Sequence, residues 1–169
     1  SAYRTIFPDA EFRIWSRSVA SAAHLATPLG LEIAPDLQAA VGWADVICTC
    51  TMATVPLIKG EWLRPGQHLD LIGAYRPDMR EVDDAAIARA RLFVDARATT
   101  VHHIGEIMAP LKSGAITETA ILADFYDLPS GRYTRETAEE ITIAKNGGGA
   151  HLDLMTADYI LRAWRSRQA

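Results

Sequence analysis

Small polar residues follow a predicted apolar strand in the stretch ADVICTCTMATVPLI, residues 44–58. After the apolar positions Val46–Cys48 the chain continues with Thr49, Cys50, Thr51, Met52 and Ala53. Beside a bound dinucleotide, small side chains would let the backbone approach the ligand, and threonine hydroxyls would bond its ribose or phosphate. The alternative is an ordinary strand end, where threonine serves β propensity and cysteine packs as a small hydrophobe. Spacing alone favours this alternative.

A second polar cluster, Ser16, Arg17 and Ser18, follows a predicted strand at 11–16. In dinucleotide-binding folds, an acid at the end of the second strand accepts the ribose hydroxyls and selects NAD. A small polar residue followed by arginine accommodates a 2′-phosphate and selects NADP. Arg17 would make a charge-assisted contact with that phosphate. In the alternative interpretation Ser18 caps the next helix and Arg17 is solvated, and these residues alone leave both open.

Glycines open the last predicted helix in the segment NGGGA, residues 146–150. Three consecutive glycines permit positive φ angles and close approach of a ligand. A helix N-terminus also attracts anions and dipoles. A flexible turn is the competing interpretation of the same residues.

Histidines and cysteines do not predict a metal site. His102 and His103 are adjacent on a predicted helix, where their side chains would point about 100° apart and make a poor ligand pair. Cys48 and Cys50 have no second cysteine or histidine pair, and two positions on one strand suit a disulfide badly. A reducing, cytoplasmic setting is therefore expected.

Alternating strands and helices position these residues. Short apolar runs predict strands at 11–16, 31–34, 45–50, 68–73, 92–97 and 139–146. Helical patterns lie between and after them, at 18–30, 35–44, 81–91, 100–116, 117–128 and 149–165. This alternation predicts an α/β fold with a doubly wound, mostly parallel sheet and helices on both faces. Ligands bind such sheets outside the carboxyl ends of the strands.

Composition sets the remaining limits. The 169 residues carry a formal net charge of −4, so no nucleic-acid partner is expected. No apolar run is long enough to predict a transmembrane helix, and the first residues lack a signal-peptide pattern. Hydrophobic residues make up 49% and charged residues 22%, as in ordinary globular proteins.

Several of these segments together resemble the ornithine cyclodeaminase/μ-crystallin family. They are ADVICTCTMATVPLIKGEWLRPGQHLDLIGAYRPDMREVDD, FVD and KNGGGAHLDLMTADYIL, in the family's order from about residue 11 onward. The GAYRPDMRE stretch, residues 73–81, is more similar to the μ-crystallin and ketimine-reductase branch than to ornithine cyclodeaminase. The resemblance implies an NAD(P)-dependent homodimer that acts on a small imino or amino acid. Its subunit would have a Rossmann domain and a second domain completed by the last helix.

The resemblance also assigns residues to a nicotinamide cofactor. Ser16, Arg17 and Ser18 match the loop for the ribose and its 2′-phosphate, which implies NADP, with NAD possible. The residues that match the cofactor-lining loops are Thr49, Cys50, Thr51, Met52, Ala53 and Gly73. Asn146 and Gly147 match the loop that approaches the nicotinamide.

One departure from the family pattern concerns the reaction. Ornithine cyclodeaminases have an aspartate where this chain has Tyr75, which favours imine reduction, or its reverse on an amino acid, over cyclodeamination. Tyr75, Arg76 and Asp78 are the catalytic candidates, although Asp78 could instead pair with an arginine and hold the loop. Ornithine cyclodeaminase or alanine dehydrogenase activity is one alternative. A non-catalytic, crystallin-like protein that binds NADPH and a small ligand is another.

The second departure concerns the segment that precedes the first predicted strand. The family's Gly-rich loop, its strand and the upstream substrate-binding residues have no match in these 169 residues. Residues 1–146 are therefore expected to form a partial Rossmann domain, and 147–169 a helix returning toward a mostly absent substrate and dimerisation domain. The absent strand would leave the strands at 11–16 and 45–50 each without a neighbour. We expect these 169 residues alone to be inactive.

Overall fold

The computed structural model describes residues 2–168, which divide after Ala44 into two compact units. The first unit contains helix α1 (Ala2–Ile6), strand β1 (Arg13–Ile14), helix α2 (Val19–Leu29), strand β2 (Glu32–Ile33) and helix α3 (Leu37–Trp43). Strands β1 and β2 are parallel, with Arg13 beside Glu32 and Ile14 beside Ile33. The predicted alternation of strand and helix in this unit is confirmed.

Local capping explains the helix boundaries of the first unit. The Ser18 hydroxyl accepts a hydrogen bond from the Ser21 amide at 3.2 Å and starts α2. Gly30, at φ +60°, ends this helix in the left-handed conformation that glycine adopts without strain. Asp36 caps α3 through the Ala39 amide at 2.7 Å.

The second unit is built on a five-stranded sheet. Its strands are β3 (Val46–Thr49), β4 (His68–Leu71), β5 (Arg91–Val94), β6 (Ile121–Ala123) and β7 (Thr142–Lys145). Its helices are α4 (Asp84–Arg89), α5 (Arg97–Thr100), α6 (Gly105–Ser113) and α7 (Ala150–Ser166). Every strand pair is parallel, in the order β3-β4-β7-β5-β6. The predicted α/β class with a parallel sheet is confirmed.

Position in the sheet decides how deeply each strand is buried. The central strands β4, β7 and β5 contribute fully buried side chains such as Leu69, Leu92 and Ile143. Strand β3 is an edge, and Val46 on it is 40% exposed. Within the described residues β3 pairs only with β4, and β1 only with β2. Within the part of the chain described, each of these two strands therefore keeps one unpaired edge.

Two predicted helices are wrong in detail. Residues 117–128 are not one helix, because Ile121–Ala123 form β6 and pair with β5 between short 3-10 turns. The predicted helix 100–116 is instead two helices, α5 and α6, separated by a turn. His102 and His103 lie exposed in that turn. Tertiary pairing with a buried strand overrides the local helical pattern at 121–123.

Among the described helices, none has the length and apolar character needed to cross a bilayer.

Candidate functional site

Three loops leave the five-stranded sheet at the carboxyl ends of its strands. Strands β3, β4 and β7 are parallel neighbours, so the loops that begin at Cys50, Ile72 and Asn146 emerge at the same, carboxyl end. These are three of the four loops that the sequence predicted as ligand-binding. The fourth, Ser16–Ser18, belongs to the first unit and follows β1.

A buried carboxylate, that of Glu81, joins the first two loops. Glu81 is 1% exposed. Its Oε1 accepts hydrogen bonds from the Thr51 amide at 2.6 Å and the Thr51 hydroxyl at 2.8 Å. Its Oε2 accepts from the Thr49 hydroxyl at 2.7 Å and from the amides of Gly73 at 2.8 Å and Ala74 at 3.3 Å. The ends of β3 and β4 are thus held together by one side chain.

These bonds limit what the two threonines can offer a ligand. A hydroxyl has one hydrogen to donate, and Thr49 and Thr51 both donate theirs to Glu81. They can therefore accept a hydrogen bond from a ribose hydroxyl but cannot donate one to a phosphate. On the same loop the side chain of Met52 is 71% exposed, Cys50 is exposed and Ala53 is half-buried. The open surface of this loop therefore includes Met52, Cys50, Thr54 and Val55 rather than the hydroxyls of Thr49 and Thr51.

Gly73 makes the contact between the two loops possible. A Cβ atom at this position would overlap the Thr51 backbone and the Glu81 carboxylate. Any larger residue would therefore push the β3 and β4 loops apart. The glycine of the GAYRPDMRE stretch serves this packing.

Two more buried ionisable side chains, those of Glu106 and Lys145, lie behind Glu81. The carboxylate of Glu106 accepts from the Glu81 amide at 2.7 Å and the Val82 amide at 3.0 Å. Burial raises the pKa of Glu106 to about 7. Lys145, 1% exposed at the end of β7, donates to the Leu71 carbonyl at 3.0 Å, and burial lowers the pKa of its ammonium group. This buried network connects the ends of β4 and β7.

A third buried acid, Asp95, fixes the glycine loop. Asp95 follows β5, and its Oδ2 accepts from the amides of Gly147 at 2.9 Å and Gly148 at 3.2 Å. The Thr100 hydroxyl donates to its Oδ1 at 2.5 Å. The side chain of Asn146 accepts from the Gly148 amide at 2.9 Å. The loop before α7 is therefore anchored by side chains rather than being a loose turn.

The β4 loop carries the predicted catalytic candidates. Arg76 and Asp78 form a bidentate ion pair, Nε to Oδ1 and Nη2 to Oδ2, each at 3.0 Å. The interpretation in which Asp78 pairs with an arginine and holds the loop matches this geometry. Tyr75 is 55% exposed, and its hydroxyl makes no hydrogen bond to any residue in the part of the chain described. The loop therefore offers one exposed phenol beside a paired guanidinium.

The Ser16–Ser18 cluster has the helix-capping geometry that the sequence left open. Ser18 caps α2, and the Ser16 hydroxyl accepts from the Ser18 amide at 3.4 Å. Arg17 is exposed and forms no salt bridge with residues 2–168. Because the cap uses a lone pair of Ser18, the hydroxyl hydrogens of both serines remain available as donors.

The thiols and histidines do not form a metal centre among the described residues. Cys48 and Cys50 are free, with their sulfurs 4.0 Å apart. Burial and the nearby Cys50 and Asp70 raise the pKa of the Cys48 thiol to about 12. The Cys48 thiol is therefore protonated at neutral pH and is a poor nucleophile.

The sheet edge fits a nicotinamide dinucleotide. Glycine backbone is open to close approach at Gly148, which has no neighbour near a built Cβ. Threonine lone pairs, the exposed Met52 and the exposed Ile72 add polar and apolar contacts on neighbouring loops. This mixture of small, polar and apolar groups at parallel strand ends is typical of dinucleotide sites.

Sequence reasoning missed Glu81, Glu106, Asp95 and Lys145 as organisers of this edge. A signal exists for Glu106, Lys145 and Asp95, because each is a charge directly beside or inside an apolar run, as in IGEIM and ITIAK, but Glu81 lies in the polar stretch MREVDD and has none. Charges that fold into a core need partners, so such positions predict buried networks. Their partners could not be read from the sequence.

Comparison with known proteins gives consistent matches. A family model described as the ornithine cyclodeaminase/mu-crystallin family matches residues 1–168. The Δ(1)-pyrroline-2-carboxylate reductase of Paracoccus denitrificans is 52% identical over 168 residues, 95% of this chain and 53% of that protein. The ketimine reductase mu-crystallin of Mus musculus is 36% identical over 162 residues, 95% of this chain and 49% of that protein. The chain spans about half the length of these curated relatives.

Solved structures of related enzymes also match the fold of this chain. The Δ(1)-pyrroline-2-carboxylate reductase of Thermococcus litoralis, in complex with NADH and L-proline, has a TM-score of 0.73 at 29% identity. The match covers 80% of this chain and 44% of that one. An archaeal alanine dehydrogenase dimer with bound NAD has a TM-score of 0.85 at 26% identity, over 99% of this chain and 53% of that one.

Proposed function

The chain belongs to the ornithine cyclodeaminase/mu-crystallin family, as its motifs predicted, and we propose that the full-length protein reduces a cyclic imino acid with a nicotinamide cofactor. The substrate class proposed is a five- or six-membered cyclic ketimine with a carboxylate next to the C=N carbon. Similarity to a pyrroline-2-carboxylate reductase and to a ketimine reductase supports this class.

The observation that carries the proposal is the convergence of three loops at one edge of the parallel sheet. The β3, β4 and β7 loops there combine buried carboxylates, glycine backbone and an exposed Tyr75. Such an edge can hold a cofactor in one orientation and leave a small substrate beside it.

The residues of this chain are proposed to donate a proton to the substrate and to hold the loop that carries the donor. When bound, a reduced nicotinamide supplies a hydride to the imine carbon. The imine nitrogen also requires a proton. The exposed hydroxyl of Tyr75 is assigned that role here, because Asp78 is committed to Arg76. The Arg76–Asp78 pair is assigned the structural role of holding the loop.

The cofactor proposed is NADP(H), with NAD(H) as the alternative. The exposed Arg17, flanked by two serine hydroxyls, supports a contact with the 2′-phosphate. Met52, Ala53, Gly73 and Asn146 are proposed to line the rest of the cofactor. The related structures with bound NAD or NADH favour the alternative.

The assembly proposed is a homodimer, on the similarity to a dimeric alanine dehydrogenase. Residues 1–146 are proposed as part of the cofactor-binding domain, and α7 as an element that packs against the other domain. The free thiols Cys48 and Cys50 suit a reducing cytoplasm.

The test is a cofactor-oxidation assay on the purified full-length protein. Δ(1)-pyrroline-2-carboxylate and a six-membered cyclic ketimine are supplied with NADPH or NADH, and L-proline formation is followed by mass spectrometry. Ornithine and alanine are tested in the oxidative direction, with ammonia as the readout. We expect rapid imine reduction and no ammonia release from ornithine, since Tyr75 stands where cyclodeaminases have an aspartate. Cofactor binding without turnover of any of these compounds would instead support the crystallin-like alternative.

A further inference from the structure

Glu81 has an unusual environment for a carboxylate that lies at a sheet edge. It is almost fully buried, and it accepts five hydrogen bonds, all from backbone amides and hydroxyls of two loops. Both oxygens are used, and each has at least two donors. A buried acid in such a site stays in place only while both loops keep their positions.

The five bonds act where the strand ladder has ended. The pairing of β3 with β4 ends at Thr49 and Leu71, and the Thr49 carbonyl then accepts from the amides of Ile72 at 3.0 Å and Gly73 at 3.2 Å. Beyond that point, Thr51 and Gly73 have Glu81 as their shared partner. Among the described residues no backbone hydrogen bond joins Thr51 to Gly73, so the side chain of Glu81 is what links these two positions.

Glu81 is itself held from behind. Glu106 accepts its amide hydrogen, and the Glu81 carbonyl accepts from the amides of Leu57 at 2.9 Å and Ile58 at 3.1 Å. The backbone of Glu81 is thus fixed by Glu106 of α6 and by Leu57 and Ile58 near the far end of the β3 loop. A preformed ligand surface requires that its loops are held in place before the ligand binds.

We infer that Glu81 is a positioning residue for cofactor binding, which acts by setting the distance between the Thr51 loop and the Gly73 loop. The inference rests on the proposed function, since it assumes that these loops line a nicotinamide cofactor. Glu81 does not touch the cofactor in this account. It acts through Thr51 and Gly73.

The experiment uses Glu81→Gln in the full-length protein. Glutamine has nearly the same shape, but its amide nitrogen donates and cannot accept from a backbone N–H. One loop would therefore lose its partner. We expect the Kd and KM for NAD(P)H to rise about tenfold, the equivalent of roughly one hydrogen bond to a charged group, with a smaller change in kcat at saturating cofactor.

A matched control separates positioning from stability. The carboxylate of Asp83 also accepts two backbone hydrogen bonds, from Gly60 at 2.8 Å and Ala86 at 2.9 Å, but it bonds neither Thr51 nor Gly73. Asp83→Asn should lower the melting temperature while leaving the cofactor Kd within about twofold. The Kd is measured by nicotinamide fluorescence and the melting temperature by calorimetry on the same samples.

A second variant covers the case in which Glu81→Gln does not fold. Glu81→Asp keeps the charge but shortens the reach, so its cofactor Kd should lie between those of the native protein and the glutamine variant. If either folded variant binds NAD(P)H as tightly as the native protein, the inference is overturned. If the native protein binds neither NADH nor NADPH, the proposed function fails as well, and the inference with it.

Discussion

At the scale of single residues, the buried acids near the carboxyl ends of the strands hold loops in place, a role that their positions in the sequence do not reveal. Glu81 and Asp95 accept amide hydrogens from loops, and Glu106 accepts them from the chain around Glu81. The threonines that seemed suited to donate to a ligand donate instead to Glu81. The residues left open to solvent, Tyr75 and Arg17, are those from which chemistry and cofactor choice are expected.

Arg17→Ala tests cofactor choice. Loss of the guanidinium should weaken NADPH binding by roughly 1–3 kcal/mol, the range for a hydrogen bond to a charged group. NADH lacks the 2′-phosphate, so its affinity should stay unchanged and serves as the internal control. Titration calorimetry on the full-length protein measures both. Equal affinity of the native protein for NADH and NADPH would contradict the NADP proposal.

Glu106→Gln tests the buried network through pH. Burial raises the pKa of Glu106 from 4.5 to about 7, so the folded protein holds this proton where the unfolded chain has lost it. Lys145 opposes this increase, and the charge of Glu81 adds to it. Stability from this group is full below about pH 4.5 and falls as the pH rises to about 7, by about 3 kcal/mol in total.

Urea unfolding between pH 4.5 and 7 measures this dependence. The glutamine variant should lose the downward slope, whatever constant offset it adds. Burial also lowers the pKa of His68, but this histidine contributes equally to both proteins. Parallel curves for the native and Glu106→Gln proteins would show that Glu106 is not the titrating group.

At the scale of elements, parallel strand pairing brings the loops of the site to one end of the sheet, and hydrogen bonds between the loops fix their geometry. The sequence placed β4, β5 and β7 from their apolar runs, and α2 from a residue that could cap it, Ser18. It failed at β6, where Ile121–Ala123 adopt a strand because β5 offers a buried partner. Three residues carry too little periodicity to outweigh the helical pattern on both sides.

Gly73→Ala tests the contact between the β3 and β4 loops. The added methyl group would overlap the Thr51 backbone and the Glu81 carboxylate, so one loop must move. We expect a loss of roughly 1–3 kcal/mol in the free energy of unfolding, as for other overpacked sites. Gly42→Ala is the matched control, because its added Cβ has no neighbour within 4 Å and it lies in α3. Alanine there should be neutral or stabilise the protein.

At the scale of the whole molecule, α7 presents an apolar face to solvent in this chain. Its exposed side chains include Leu154, Ile160, Leu161 and Trp164, at helical spacing. A face of this kind normally packs against another surface. The proposed domain arrangement, in which α7 packs against the other domain of the full-length protein, accounts for it.

Ile160→Glu tests that arrangement. If the face is buried in the full-length protein, the charge should cost about 2 kcal/mol or more of stability, since an unpaired buried charge is expensive. If the face is solvated, the change should stay within about 0.5 kcal/mol. Arg162→Glu, on the same helix and 78% exposed at its side chain, is the control. Chemical denaturation measures both, and light scattering reports whether the native protein is a dimer.

The sequence by itself determined the α/β class, the order of most strands and helices, the family and the loops at the carboxyl ends of the strands. Apolar periodicity, caps and motif spacing are local properties, so they can be read along the chain. Only the tertiary structure decided which polar side chains are already hydrogen-bonded within the protein and which remain available to a ligand. Glu81 meets Thr49 and Thr51 across 32 and 30 residues, and Asp95 meets Gly147 across 52. A buried carboxylate is stable only when distant donors converge on it, and no local pattern encodes that convergence.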